Sequence, residues 1–380
     1  MFSDFVQFVH EIYDSDGYIP LHAPRFHGKE KSYVLEAIES TFVSSVGQYV
    51  DKFEQDIAKY TGAEFAVATV SGTSALHIAL LMSGVSAGDE VITQPLTFVA
   101  TCNAVSYCGA EPVFVDVEMA TLGIDPDSLE QFLNEKTEVR DDGKCWNKLT
   151  NKIISAYVPV HNFGHPSQLP AISNLCRHYN ITVVEDAAES LGSFFAGRHT
   201  GTFGSMGIFS FNGNKIITTG GGGMIVTNDE KLAKRAKHRS TTSKIPHPWL
   251  FVHDEVGYNY RLPNINAALG CAQLELIEEF VEKKRVLADT YFHWFEKYGY
   301  EMIREPVESR ANYWFNGVLM RDRTERDEFL EFTNKNNVMT RPAWTPMHTL
   351  AMYKNCFRTE LPTTEWLEDR IVNIPSSVPA

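Results

Sequence analysis

The chain has 380 residues, a formal net charge of −14, 43% hydrophobic residues and 22% charged residues. This composition is typical of a globular protein with a large core, and the length suggests about two domains. An acidic surface attracts neither nucleic acid nor an anionic membrane, so we exclude both as partners, whereas a small anionic ligand needs only a local positive site.

The N-terminal region and the cysteines indicate where such a protein works. Residues 1–18 mix acidic and aromatic side chains and have no basic stretch, so they do not predict a signal peptide. The most apolar helix-length run, residues 74–82, is too short to cross a bilayer. The six cysteines are scattered without a CxxC pair, which predicts reduced thiols and no metal site. We therefore expect a cytoplasmic protein.

The first part of the chain predicts an arm followed by two helices. The first twenty residues predict a short helix and an extended segment. Apolar residues at helical spacing predict helices over residues 30–40 and 50–60, separated by a turn-like loop at 43–49.

From residue 65 onward, strand patterns alternate with helical patterns. This alternation predicts βαβ units and a mostly parallel sheet of seven strands, and the polar segment 135–152 that interrupts it predicts an exposed loop or insertion. The predicted strands are 65–70, 90–93, 113–117, 153–158, 181–184, 207–211 and 224–227, and the predicted helices are 75–82, 97–106, 127–134, 168–179 and 229–238.

The C-terminal part has a different pattern. A long helical stretch covers residues 265–298, with one possible break. A strand at 313–320, a helix at 325–335 and a strand at 338–341 then predict a small α+β domain. We therefore divide the chain into residues 1–264, the arm and the large domain, and residues 265–380, the connecting helix and the small domain.

Polar residues follow several of the predicted strands, where open parallel sheets bind their ligands. Ser71-Gly72-Thr73-Ser74 opens a helix, so it is either an anion site or an ordinary helix cap. Asp186 ends a strand, where its carboxylate would bind a pyridinium N–H. The alternatives are that it caps a helix or forms a salt bridge. Phe98 would stack on a flat ring or pack as a core aromatic.

Lys215 follows the strand at 207–211 and precedes four glycines, 220–223. A partly desolvated lysine loses part of its preference for the charged form, and the neutral amine is the nucleophile for a Schiff base. The alternative is a salt-bridged lysine in a tight turn. Ser210 would add a phosphate contact, and the glycines match no nucleotide-binding motif, so we interpret them as a close-packed turn. An anion turn, an aromatic ring, an aspartate and a lysine, in that order, are the parts of a pyridoxal phosphate site.

Five segments together resemble the sugar aminotransferases of the DegT/DnrJ/StrS family, over nearly the whole chain from about Arg25 to Pro375. This resemblance implies an α/β fold of the aspartate aminotransferase-like type, pyridoxal phosphate fold type I. Residues 43–47, the insertion after Asn134 and residues 161–166 are most similar to the branch that aminates UDP-4-keto-6-deoxy-N-acetylhexosamine for legionaminic acid or bacillosamine-type sugars. The five segments are 71–77, 97–101, 185–190, 209–215 and 257–261.

The resemblance also implies roles for individual residues. Lys215 would form the Schiff base and move the proton, and Asp186 would pair with the pyridine nitrogen. Glu189 stands near the cofactor's phenolic oxygen, where many relatives have Gln or His, so its carboxylate would need a proton or would turn away. Gly72, Thr73, Ser74 and Ser210 would hold the phosphate, Phe98 would stack on the ring, and Asn259 would reach the phosphate of the neighbouring subunit in a homodimer with shared active sites.

The implied reaction transfers the amino group of L-glutamate to C4 of the keto-sugar nucleotide. Lysine at position 215 favours amino transfer, because a dehydratase branch of the family has histidine there. The alternatives are another keto-sugar nucleotide, another pyridoxal phosphate reaction, or a catalytically silent ligand-binding protein. The candidate substrate residues are Arg25, Ser45, His161, Arg261 and Arg341.

Overall fold

The computed structural model describes residues 1–379 and has an α/β architecture. Its helices are α1 Phe2–Tyr13, α2 Glu30–Glu39, α3 Gln48–Thr61, α4 Gly72–Met82, α5 Val99–Tyr107, α6 Pro126–Lys136, α7 Leu169–His178, α8 Glu230–Ser240, α9 Asn264–Leu274, α10 Ile277–Glu296, α11 Arg323–Lys335 and α12 Pro362–Glu368. Its strands are β1 Phe65–Thr69, β2 Glu90–Thr93, β3 Glu111–Phe114, β4 Thr137–Val139, β5 Cys145–Asn147, β6 Lys152–Val158, β7 Thr182–Asp186, β8 Phe194–Phe195, β9 Arg198–His199, β10 Met206–Ser210, β11 Gly223–Thr227, β12 Glu301–Met302, β13 Ser309–Arg310, β14 Asn316–Leu319, β15 Arg341–Pro342 and β16 Ile371–Ile374.

The large sheet confirms the predicted mostly parallel arrangement. Seven of its strands follow the order β1-β11-β10-β7-β6-β2-β3. Four neighbouring pairs along this order are parallel, and β11 is antiparallel to both of its neighbours. Helices α4, α5 and α8 cover one face of the sheet, and α3, α9, α6 and α7 cover the other. Burial on both faces explains why the strands are continuous apolar runs.

Residues 135–152 were predicted to be an exposed loop or an insertion; they are not a loop, because most of this segment is an inserted hairpin that extends the sheet. It forms the β4–β5 hairpin, and β5 pairs with the N-terminal residues 152–154 of β6. Its buried anchors are Cys145, which is 1% exposed, and Asn147, whose side chain donates to Glu90 Oε2 at 2.8 Å. Two buried residues in an otherwise polar segment produce no alternating apolar pattern, so the sequence did not predict these strands.

The C-terminal part contains a four-stranded sheet in the order β12-β14-β16-β15. Strand β16, which the sequence reading missed, pairs with both β14 and β15. Helix α1 packs into the same core, because Phe5 and Val9 are fully buried against side chains of α10 and α11. The division at residue 264 stays a prediction, although the first helix of the chain makes its core contacts with the C-terminal part.

The helices and the cysteines agree with the sequence pattern in the part of the chain that the structure describes. The long C-terminal pattern is two helices, α9 and α10, with the break at residues 275–276. Within residues 1–379, no helix is both long and apolar enough to cross a membrane. All six cysteines are free thiols.

Candidate active site

A cavity of about 550 Å³ lies at the edge of the large sheet where β1, β7 and β10 end. Residues of the C-terminal part close it from the other side. Because parallel strands end at the same edge, polar residues that are far apart in sequence meet there. The predicted site residues that line it are Gly72, Thr73, Phe98, Asp186, Glu189, Ser210, Lys215 and Arg341.

The N-terminus of α4 forms one end of this cavity. Ser71 caps the helix, because its Oγ accepts from the N–H of Ser74 at 3.1 Å. The N–H groups of Gly72 and Thr73 precede the first hydrogen bond of the helix, which runs from Ala75 N to Ser71 O. A Cβ at Gly72 would lie 2.8 Å from Ser210 Cβ, so glycine lets the end of β10 approach the helix. The result is a set of N–H groups and hydroxyls suited to a phosphate.

Asp186 lies at the end of β7 and is 6% exposed. Its Oδ2 accepts from Thr101 Oγ1 at 2.8 Å, and its Oδ1 accepts from Ala188 N at 3.2 Å. Burial raises the pKa of Asp186 above its ordinary value, and these two hydrogen bonds oppose the rise. Two neutral donors leave much of a buried negative charge uncompensated, so this carboxylate suits a cationic N–H partner.

Lys215 lies in the turn after β10, and its Nζ is 3.5 Å from Glu189 Oε1. Burial lowers the pKa of Lys215, while Glu189 and Asp186 oppose this change. Burial also raises the pKa of Glu189 to about 7. Glu189 therefore faces the lysine and is not turned away, and both groups are held closer to their neutral forms than in water.

Phe98 lies at the start of α5 and lines the cavity with 53% of its surface exposed. This placement decides against a core aromatic. A half-exposed ring beside Asp186 and Lys215 offers a face on which a flat heteroaromatic ring can stack.

Three of the predicted residues lie beside the cavity without lining it. The hydroxyl of Ser74 contacts Ser71 Oγ at 2.9 Å. Asn259 and Arg261 bond each other, with Arg261 Nε donating to Asn259 Oδ1 at 3.1 Å, and both are exposed. Arg261 bridges Thr69 at the end of β1, so this pair is close to the sheet edge but outside the cavity of its own chain.

Besides Arg261, three of the candidate substrate residues are not brought to this cavity. Arg25 donates to the carbonyls of Val378 and Pro379, so it holds the C-terminal segment. Ser45 is in the loop before α3 and does not line the cavity. His161 was a wrong expectation, since it is fully buried with its Nε2 3.2 Å from Glu185 Oε2. Its ring is fully buried in the loop after β6, so a substrate has no access to it.

Several cavity residues were missed by the sequence reading. Thr101, one helical turn after Thr97, had a local signal because threonines at this spacing share a helix face. Trp314, Trp344 and Asn373 come from the C-terminal part and had none. The ring of Trp314 covers Lys215, with Nζ 3.7 Å from the ring centroid.

Comparison with known proteins places these features in context. The model of the DegT/DnrJ/EryC1/StrS aminotransferase family matches residues 24–379. The chain is 40% identical over 362 residues to the GDP-perosamine synthase of Escherichia coli O157:H7, covering 94% of this chain and 93% of the relative. It is 37% identical over 336 residues to EpsN of Bacillus subtilis, a protein named as a pyridoxal phosphate-dependent aminotransferase, covering 88% and 84%.

The fold has close counterparts among solved structures. The aminotransferase TlmJ from Streptoalloteichus hindustanus superimposes with a TM-score of 0.85 at 29% identity, covering 95% of this chain and 94% of that one. The cavity therefore lies in an architecture that is already known for an aminotransferase.

Proposed function

Because the chain belongs to the DegT/DnrJ/EryC1/StrS aminotransferase family, which depends on pyridoxal phosphate and aminates sugars, we propose that it transfers the amino group of L-glutamate to C4 of a nucleotide-linked 4-keto-6-deoxy sugar. The observation that carries the proposal is Lys215, whose side chain is 13% exposed and paired with Glu189 in the cavity that also contains Asp186. L-Glutamate would become 2-oxoglutarate, and the keto oxygen of the sugar would be replaced by an amino group.

The residues present fit pyridoxal phosphate. The α4 N-terminus with Ser210 would hold its phosphate, Asp186 its ring nitrogen, Phe98 its ring face and Lys215 its aldehyde carbon. Bound there, the cofactor supplies an electron sink and carries the amino group between the two substrates.

Side chains of the protein would control protonation and move the proton during the transfer. Asp186 would keep the ring nitrogen protonated from its buried position at the end of β7. Lys215 Nζ, released from the cofactor, would take the proton from Cα of L-glutamate and later deliver a proton to C4 of the sugar. The lowered pKa of Lys215 favours the neutral amine that this first transfer requires. Trp314, over Nζ, would keep water from the lysine.

For the nucleotide we propose GDP. The support is the name of the relative with 40% identity, a GDP-perosamine synthase. The UDP-linked N-acetylhexosamine is the second candidate, because residues 43–47, the insertion after Asn134 and residues 161–166 resemble the branch of the family that uses it. Arg341, an exposed arginine of β15 that lines the cavity, would face the anionic part of the substrate.

We also propose a cytoplasmic homodimer with shared active sites. Asn259 lies outside the cavity of its own chain, and the preceding segment exposes Trp249, Phe251 and Val256, which are 75%, 80% and 77% exposed. Side chains of this kind commonly mark a protein interface. The free thiols are in keeping with a reducing compartment.

The experiment is a two-stage reaction with the purified, cofactor-loaded protein. L-Glutamate alone should change the absorbance of the bound cofactor and release 2-oxoglutarate. GDP- and UDP-linked 4-keto-6-deoxy sugars are then added separately, and each product is identified by mass. A catalytically silent protein would show no absorbance change with glutamate. If kcat/KM for the UDP-linked substrate is at least about tenfold higher than for the GDP-linked one, the choice of nucleotide is reversed.

Mixing variants tests the shared site. Lys215→Ala and Asn259→Ala chains, each nearly inactive alone, should regain activity after subunit exchange, since one site of the hybrid then has both residues. A mixture that exchanges subunits without any gain would contradict the role given to Asn259.

A further inference from the structure

Lys284, in the middle of α10, is fully buried outside the cavity. Its Nζ donates to Trp314 O at 3.1 Å and to Ser376 O. Desolvation lowers the pKa of Lys284 to about 7, and no carboxylate of residues 1–379 offsets this. Burying an ammonium is costly unless hydrogen bonds compensate for the lost water. The two carbonyls that accept from Lys284 supply this compensation.

The first of these carbonyls belongs to Trp314, whose polar groups are all hydrogen-bonded. Trp314 N donates to Asn312 Oδ1 at 2.8 Å, and Trp314 Nε1 donates to Asn214 O at 2.7 Å. The preceding Tyr313 has φ 47°, in the left-handed region that a side chain disfavours. Such a backbone persists where its surroundings hold it, and the bond from Lys284 to the next carbonyl is one of the contacts that do so.

The second carbonyl connects Lys284 to the other walls of the cavity. Ser376 N donates to Leu21 O at 2.7 Å, and Ser376 Oγ accepts from Asn316 N at 2.9 Å. Leu21 lines the cavity, as Trp314 does. The ammonium of Lys284 therefore joins α10 to the segments of Trp314 and Ser376, and Ser376 N joins the second of these to Leu21 behind the active site.

The effect on the reacting group passes through Trp314. Its ring lies on Lys215 Nζ, and its Nε1 holds the carbonyl of Asn214, the residue before the lysine. We propose that Lys284 is a positioning residue for amino transfer, which holds Trp314 against Lys215 by fixing its carbonyl. The role in transfer depends on the proposed function, whereas the effect on the ring does not.

The test compares Lys284→Met, Trp314→Phe and the double variant. The control is Tyr291→Phe, because Tyr291 is also buried on α10 and donates to Pro375 O at 2.9 Å, next to Ser376, without touching Trp314. In Lys284→Met we expect kcat to fall about tenfold with both KM values within about threefold, and in the control kcat within about twofold. In the Trp314→Phe background, Lys284→Met should cost less than about twofold.

The same proteins without cofactor give a second measurement. Subtracting the emission of each Trp314→Phe protein from that of its parent isolates the fluorescence of Trp314. Its quenching by acrylamide should at least about double with Lys284→Met and stay unchanged with Tyr291→Phe, each measured with its own Trp314→Phe partner.

Multiplicative effects of Lys284→Met and Trp314→Phe on kcat would overturn the proposal. So would a Lys284→Met protein with normal kcat for each loaded site and unchanged quenching, since Lys284 would then serve stability alone. If Lys284→Met does not fold, Lys284→Gln replaces it, because its amide can donate to one of the two carbonyls, and the same comparisons apply. If no substrate is aminated, the proposed function fails, and the quenching experiment still decides on Trp314.

Discussion

Replacing Asp186 with asparagine should move cofactor affinity and the stability of the cofactor-free protein in opposite directions. The carboxylate is buried, and two neutral donors hold it. Its pKa is raised in the folded protein, so ionising this carboxyl costs folding free energy. The cost grows as the pH rises from the unfolded to the folded pKa and is complete above the folded pKa. Asp186→Asn has no such cost, so the unfolding midpoint of the cofactor-free variant at neutral pH should rise.

Cofactor binding should show the reverse. A hydrogen bond to a charged group contributes about 1.5–3 kcal/mol, and 1.4 kcal/mol is about tenfold, so Kd should increase roughly 10- to 150-fold. Fluorescence titration gives Kd, and urea unfolding of the cofactor-free protein gives the stability.

A matched control is Asp116→Asn. Asp116 is also buried, but it accepts from Thr363 N, Thr364 N and Thr364 Oγ1, away from the cavity. This variant should lose about 1–3 kcal/mol of stability, because three donors lose a charged acceptor, and should keep its cofactor affinity. If Asp186→Asn destabilises the cofactor-free protein as Asp116→Asn does, the uncompensated charge assigned to Asp186 is wrong.

Three further substitutions test the cavity and its surroundings. Glu189→Gln should flatten the pH dependence of the unfolding midpoint of the cofactor-free protein. Because the pKa of Glu189 is raised to about 7, the folded protein loses stability as the pH rises from the ordinary pKa of a glutamate to that value. An unchanged profile by calorimetry would contradict this. Thr101→Val removes one donor to Asp186 and should weaken cofactor binding about two- to twelvefold, from about 0.5–1.5 kcal/mol, with no effect on the thermal midpoint beyond a few degrees. His161→Ala should lower the stability measured in urea by about 1–3 kcal/mol while KM for the sugar stays constant, and a raised KM without loss of stability would restore His161 as a substrate residue.

Local patterns were enough to predict the part of the site that the large sheet builds. Asp186 was placed at a strand end because an apolar run stops there, and Lys215 in the turn after the strand that contains Ser210. In the structure β7 and β10 are parallel neighbours, so these residues meet. The glycines at 220–223 form the predicted close turn into β11, which pairs with β10 from Ser210↔Gly223 onward.

The wall contributed by the C-terminal part could not be predicted in this way. Trp314 reaches Lys215 across about a hundred residues of chain, and nothing in its neighbours indicates that contact. His161 shows the converse, because a histidine near a strand end appears available to a substrate until its partner Glu185 is known to be inside the sheet. Side chains whose surroundings come from distant segments lie beyond periodicity and spacing.

The packing of α1 has a consequence for the order in which the protein acquires its structure. Phe5 and Val9 pack against residues of α10 and α11, and their core also includes Val372 and Ile374 of β16. During synthesis α1 therefore has no complete core to join until β16, residues 371–374, has been made. The large sheet, which ends at residue 227, can form earlier. Of the elements described, α1 should be among the last to become protected, and loss of either α1 or β16 should weaken the same core.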